Sequence, residues 1–201
     1  MLRKMLKKVI LILFAFFMIS SCSKTTPHKT ISHIICFGDS LTEGIGASNG
    51  QTYPYFLQLL TKVPVMNEGI RGNTSKDGLN RIENISKYQN AIIIVEFGAN
   101  DYFQQIPIHE TKTNIEKIID KLNNNGNNII VVSTEDKQLR ELCNMLKSLA
   151  REKNIIFING ILNEIWNDRN LFFDEIHPNS QGYKLVAQKI YKNIKPLINS
   201  N

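Results

Sequence analysis

Cysteine is scarce in this chain: three residues in 201, Cys22, Cys36 and Cys143, too few for a fold held together by disulfides. The four histidines, His28, His33, His109 and His177, have no ligand spacing among themselves or with the cysteines, so no metal site is expected. No apolar run approaches the roughly 20 residues that a helix needs to span a bilayer. The longest, residues 9–19, has 11. Acidic residues are absent from the first 21 positions, where Arg3, Lys4, Lys7 and Lys8 supply most of the formal net charge of +6. Beyond them 20 basic residues stand against 18 acidic ones, a net charge of +2. Phosphate binding needs a clustered basic excess on the folded domain, so a nucleic-acid partner is excluded. What remains is an ordinary balance, 42% hydrophobic and without repeats or low-complexity tracts, in a length that holds one domain and not two large ones.

Residues 1–22 place a basic start before the apolar run and small polar residues with a cysteine after it, which is the plan of an export signal. The end of that run, Ile19-Ser20-Ser21-Cys22, resembles the lipobox of bacterial lipoproteins, in which the cysteine is lipid-modified and becomes the first mature residue. That resemblance implies a signal peptide over 1–21 and lipidation of Cys22. Ser23 rather than Asp after the cysteine implies an outer-membrane anchor facing the periplasm, if the cell is Gram-negative. Residues 22–31 are short and polar and contain Pro27, so they read as the lipidated cysteine and a tether. The membrane is then a partner through Cys22 alone. Cys36, in an apolar strand, and Cys143, on an amphipathic helix, read as two buried unpaired thiols, although an exported protein can join such a pair.

From 32 to 201 the chain alternates. Short apolar runs rich in β-branched residues occur at 33–37, 63–67, 91–97, 128–133 and 154–159, each of the length of a strand buried on both faces. Helical patterns fall between them at about 53–61, 74–88, 108–125, 136–153 and 180–194. Parallel neighbours need a crossover, and the right-handed crossover lays its helix on the sheet. A three-layer α/β/α sandwich with a five-stranded, mostly parallel sheet is therefore expected.

Open parallel sheets bind ligands outside the carboxyl ends of their strands. Four polar clusters follow apolar runs onto that edge: Gly38-Asp39-Ser40-Leu41, Glu68 to Thr74, Gly98-Ala99-Asn100-Asp101, and Asp174-Glu175-Ile176-His177-Pro178 before the last helix. They contain what acyl transfer requires. Ser40 is a candidate nucleophile, and a serine needs a base near neutral pH. His177 is the histidine available at this edge, and Asp174, three residues earlier, can accept from one ring nitrogen while the other faces the serine. Gly72 can offer its backbone N–H to a developing oxyanion, Asn100 its side-chain amide, and Ser40 its own N–H. Glu43 lies close to Asp39, but both are on one tight loop, and a glycosidase pair must flank a substrate bond. His28, His33 and His109 have no nucleophile or paired acid in a matching loop and read as surface or strand-edge residues.

These blocks resemble those of the SGNH hydrolases, the GDSL esterase and lipase family, and most closely its short bacterial branch of lysophospholipase, thioesterase and arylesterase proteins. The likeness covers about 33–192. Gly38-Asp39-Ser40-Leu41 matches the nucleophile block, Gly72 the glycine block, Gly98-x-Asn100-Asp101 the asparagine block, and Asp174-x-x-His177-Pro178 the acid and base block, all in the family's order. The resemblance implies a flavodoxin-like sheet. It makes Ser40 the nucleophile, His177 the general base, Asp174 the orienting acid, and Ser40, Gly72 and Asn100 the oxyanion hole. Gly38 and Asp39 would shape the nucleophile loop and Asp101 would brace the asparagine loop.

One departure from the thioesterase-like relatives is the connection after the fourth strand, where 132–137 runs almost directly into a polar helix start and leaves little wall for a long acyl chain. Tyr102, Phe103, Trp166, Phe172 and Phe173 lie near the expected site, either forming an apolar acyl pocket or capping the core. The expected activity is that of a monomeric serine esterase acting on small ester, thioester or lysophospholipid substrates of short acyl chain through an acyl-enzyme, with no cofactor. Within the same chemistry the alternative is a carbohydrate O-acetyl esterase acting on envelope glycans. From another class, the alternative is a binding lipoprotein that kept the fold without the reaction.

Overall fold

The computed structural model describes residues 30–134 and 138–199. The expected signal peptide, Cys22 and all but the end of the tether lie outside the described residues. Five strands, β1 Ile34–Gly38, β2 Val65–Gly69, β3 Ile92–Glu96, β4 Asn128–Val132 and β5 Ile156–Ile158, form one sheet in the order β2-β1-β3-β4-β5. Every pairing is parallel, Ile34 standing beside both Val65 and Ile92. The runs with unbroken β-branched character became the central strands: every residue of β1 and of β3 is buried. The edge strand β2, whose sequence is VMNEG, is only half-buried.

Side chains alternate across a strand, so each strand feeds two cores. On one face Ile34, Cys36, Ile92, Ile94 and Ile130 meet α2 (Tyr53–Thr61) and α8 (Ser180–Asn199) through Tyr53, Leu57, Tyr183, Val186 and Ile190. On the other, Ile35, Phe37, Ile93, Val95 and Val131 meet α6 (Ile108–Asn123) and α7 (Arg140–Glu152) through Ile115, Ile118, Leu142 and Leu146. Cys36 and Cys143 are both unpaired and buried, Cys36 in the first core and Cys143 on α7. Complete burial pushes the Cys36 thiol up to about 12, only partly offset by its hydrogen bond with Tyr53, which leaves it without thiolate reactivity.

The helices differ from the sequence expectation at their ends. The pattern over 74–88 is two helices, α3 (Ser75–Asn80) and α4 (Glu83–Ser86). Thr74 opens α3 with a reciprocal capping box to Asp77. Gly78 and Asn80 are weak helix formers, and the chain turns at Arg81, whose guanidinium is drawn inward. α7 starts at Arg140, later than the expected 136, and residues 135–137 lie outside the described residues. α8 runs past Pro196 to Asn199, because Leu197 and Ile198 still pack on the core beneath it. Two further helices, α1 (Ser40–Glu43) and α5 (Ala99–Phe103), are too short to leave a periodic pattern. They follow β1 and β3 directly. Among the described residues no helix is long and apolar enough to cross a membrane.

Candidate active site

The strand order reverses between β1 and β3, the position at which an open parallel sheet leaves a crevice at its carboxyl edge. Ser40 is the first residue of α1 after β1, and Asn100 lies in the first turn of α5 after β3, so adjacent strands carry both to that crevice. The loop leading into α8 supplies the rest. His177 Nε2 lies 2.9 Å from Ser40 Oγ, and His177 Nδ1 lies 2.8 Å from Asp174 Oδ2. The serine is half-buried, the histidine 7% exposed and the aspartate exposed.

The three-residue spacing between Asp174 and His177 works through the backbone. Asp174 Oδ1 accepts the N–H groups of Ile176 at 2.9 Å and His177 at 2.8 Å, leaving Oδ2 aimed at the ring. The loop is closed by the Phe173 N–H donating to the His177 carbonyl at 2.8 Å, and Arg169 donates to the Asp174 and Glu175 carbonyls. Partial burial pushes the Asp174 carboxyl up, but the His177 ring and the two backbone N–H groups outweigh it and hold the group at about 2. It is therefore a carboxylate near neutral pH, able to fix the tautomer of the ring and to support an imidazolium.

Three N–H groups are the expected oxyanion donors. The Asn100 amide donates one hydrogen to Asp39 Oδ2 at 3.0 Å and the other to the Asn73 carbonyl at 3.0 Å, which fixes its plane from two sides. The Ser40 and Gly72 N–H groups have no protein acceptor among the described residues. Gly72 adopts φ +78°, a left-handed conformation that favours glycine, in the turn closed by the Asn73 N–H on the Ile70 carbonyl at 3.1 Å.

Residues with no evident signal in the sequence hold these loops. Arg81 donates through Nε to Asn73 Oδ1 at 2.8 Å and through its terminal nitrogen to the Gly38 carbonyl at 2.9 Å. It rests 4.4 Å over the Phe37 ring. It thereby ties the glycine loop to the end of β1. Glu43 accepts the Arg71 N–H, so it is a loop brace and not half of a carboxylate pair. Asp101, 1% exposed, accepts the Ser75 N–H at 2.8 Å and the Thr111 hydroxyl at 3.1 Å, joining α5 to α3 and α6. Only the family resemblance had pointed to that bracing role. Asp39 caps α1 by accepting the Leu41 N–H at 3.1 Å.

A cleft of about 70 Å³ opens beside Ser40 and His177, walled by Leu41, Asn100, Phe103, Thr134, Leu139, Leu162, Trp166 and Ile176. Of the aromatic residues expected to line a pocket, Phe103 and Trp166 do so. Phe172 does not: it is 8% exposed, belongs to the core and meets Trp166 edge-on at 5.5 Å. Phe173 points the opposite way and is 67% exposed, because Phe172 pairs with Pro178 in an extended bridge and neighbouring side chains there alternate. Tyr102 faces an adjoining, more open cleft of about 450 Å³ with Gln105, Ile106 and Glu141, and Phe103 lines both. The aliphatic wall of Leu139, Leu162 and Ile176 carried no sequence signal of its own. Thr134 and Leu139, on either side of residues 135–137, both line the cleft.

A hydroxyl on one nitrogen of an imidazole, a carboxylate on the other and N–H donors beside the oxygen define a serine hydrolase arrangement at the switch point of a doubly wound sheet. Residues 36–185 match the GDSL-like Lipase/Acylhydrolase family, and the chain belongs to it. It is a hydrolase of carboxylic esters. Among curated proteins it is similar to Uncharacterized protein YpmR of Bacillus subtilis, 28% identical over 225 residues and covering 88% of each chain. It is also similar to Thioesterase 1/protease 1/lysophospholipase L1 of Escherichia coli, 24% identical over 176 residues, covering 83% of this chain and 85% of the relative. Among solved structures the psychrotrophic esterase EstA from Pseudoalteromonas sp. shares the fold, with TM-score 0.74 at 20% identity, covering 84% of this chain and 99% of that one.

Proposed function

We propose that Ser40, His177 and Asp174 hydrolyse small carboxylic esters of short acyl chain through an acyl-enzyme. The observation that carries this reading is the His177 ring bridging Ser40 Oγ and Asp174 at 2.9 and 2.8 Å. Ser40 Oγ attacks the acyl carbonyl as its proton passes to His177 Nε2, and the carbonyl oxygen takes the negative charge. The Ser40 and Gly72 N–H groups receive that oxyanion, and the Asn100 amide joins them by exchanging its bond to the Asn73 carbonyl for one to the charged oxygen. Collapse expels the alcohol with the proton from His177. Water, deprotonated by His177, then attacks the ester on Ser40, and the acid leaves as the proton returns to Ser40 Oγ. No step calls on a metal or an organic cofactor.

The short-chain assignment rests on the size of the cleft. A volume of about 70 Å³ beside Ser40, walled by Phe103, Leu139 and Trp166, favours a small acyl group. Hydrolysis of a p-nitrophenyl ester series from acetate to palmitate tests it. The expected profile peaks at acetate or butyrate and falls by at least tenfold by decanoate. A maximum at long chains would overturn the short-chain reading while leaving the esterase in place. The same small cleft favours a second reading, removal of O-acetyl groups from envelope glycans, for which acetylated sugars would be turned over in preference to acetylated phenols. Residues 1–22 support export and a lipid anchor at Cys22 in the bacterial envelope, with the domain acting as a monomer on the tether.

A further inference from the structure

Beneath the nucleophile loop lies a second carboxyl that the reaction above does not use. Glu96, the last residue of β3, is 3% exposed, and its Oε2 accepts the Asp39 N–H at 3.3 Å and the Thr42 hydroxyl at 3.0 Å. Thr42 has a single hydrogen, and Glu96 takes it. Thr42 Oγ1 also lies 2.9 Å from the Tyr53 hydroxyl. The Glu96 and Asp39 side chains are themselves hydrogen-bonded, and Asp39 in turn accepts from Asn100. The result is a buried network that joins Tyr53, Thr42 and Glu96 to the Asp39 carboxylate, which orients the oxyanion donor. Gly38 makes room for it: a Cβ there would stand 2.7 Å from Glu96 Oε2 and 2.2 Å from Thr42 Oγ1.

We propose that Glu96 is a positioning residue, which fixes the amide of Asn100 by holding Asp39 in place from beneath the nucleophile loop. Of the two carboxyls, Glu96 carries the proton. Burial raises the Asp39 carboxyl too, but Asp39 accepts N–H groups on both oxygens, from Leu41 and from Asn100, and an ionised group is what such donors favour. Glu96 is buried as deeply, and burial first, then the charge of Asp39, push it well above the ordinary carboxyl range. A neutral acid can donate to Asp39 while accepting from the loop, which satisfies every partner without a second buried charge. Because Glu96 does not touch the substrate, its removal loosens a donor and leaves substrate binding in place.

The inference rests on the serine esterase reading, and the test separates the two. Steady-state kinetics are measured for wild type, S40A, E96A, E96Q, E96D, N100A and E96A/N100A, each normalised to the fraction of sites titrated by an organophosphonate ester (S40A per protein). E96A is expected to lower kcat by about 10- to 100-fold, the range typical of misplacing a group behind a site, with KM within about twofold. E96Q, which donates and accepts as the neutral acid does, recovers most of that loss. Should E96A not fold, E96D, one methylene short of Asp39, shows the same loss in reduced degree. In the N100A background, where the donor is already gone, the further effect of E96A shrinks to less than about threefold. The proposal is overturned if E96A matches wild type per titrated site, if E96Q is as impaired as E96A, or if the loss persists undiminished without Asn100. Wild type no more active than S40A would instead overturn the esterase reading itself.

Discussion

Ser40→Ala is expected to lower kcat toward p-nitrophenyl acetate by about 10⁴-fold or more, equivalent to roughly 5.5 kcal/mol of transition-state stabilisation, with little change in KM. The size of the effect follows from what remains. Without Oγ there is no acyl-enzyme, and the Gly72 and Asn100 donors can stabilise only the direct attack of water, a far slower route. The constancy of KM follows from the cleft. Its walls are Phe103, Leu139, Leu162, Trp166 and Ile176, none of which depends on the serine hydroxyl. A far-ultraviolet spectrum and melting temperature like those of wild type accompany the loss, since Ser40 is half-buried and its side chain bonds only within the site, to His177 and Asp39. A rate within tenfold of wild type would mean that another group performs the attack.

His177→Ala is expected to cost nearly as much, again about 10⁴-fold, and the double variant S40A/H177A to be no slower than either single one. The two side chains act as a unit. An unassisted serine hydroxyl is a poor nucleophile near neutral pH, and the histidine has no other use in the reaction. Non-additivity is the sharper part of this prediction. Two residues contributing independently would show their losses multiplied, and a residue needed only for folding would show an altered far-ultraviolet spectrum and a lowered melting temperature instead of slow turnover alone. The loop survives the substitution because the Asp174 carboxylate still accepts the backbone N–H groups of residues 176 and 177, and the Phe173 N–H still closes the turn. Kinetics of the three variants at one pH decide the matter.

The parts of this molecule that a sequence can announce are those whose physics is local. β1, β3 and β4 are legible because a strand buried on both faces has to be apolar along its whole length, as IICFG and IIIVE nearly are. Ser40, Asn100 and the pair Asp174 and His177 are legible because polar residues placed directly after such strands must gather at one edge. Even the three-residue spacing of the acid and base has a local cause, since Asp174 caps the turn that carries the histidine. The short helices α1 and α5 are another matter. With four and five residues they have no period to detect, although they set the directions of Ser40 and Asn100.

Long-range contacts left no such trace. Within AIIIVEF, Glu96 looks like a lone charge at the end of an apolar run. Its meaning depends on Gly38 and Thr42, more than 50 residues away, leaving a space of the right shape. Arg81 sits inside what reads as one continuous helix, yet it ends α3 to reach Asn73 and Gly38. Among the aromatics, proximity in sequence was a poor guide. Phe172 and Phe173 are neighbours, but an extended backbone sends one into the core and the other to solvent. Trp166 reaches the cleft because Phe172 buttresses it from below. The wall residues Leu139, Leu162 and Ile176 are ordinary aliphatics in three separate segments, and only the fold assembles them.

The most direct test of the central claim is covalent. The purified protein is incubated with an organophosphonate p-nitrophenyl ester, its intact mass is measured, and the modified peptide is sequenced by fragmentation. One phosphonyl group per chain, located on Ser40, absent in S40A and formed far more slowly in H177A, is the predicted result. An unmodified chain, or a label on any residue other than Ser40, would contradict the account.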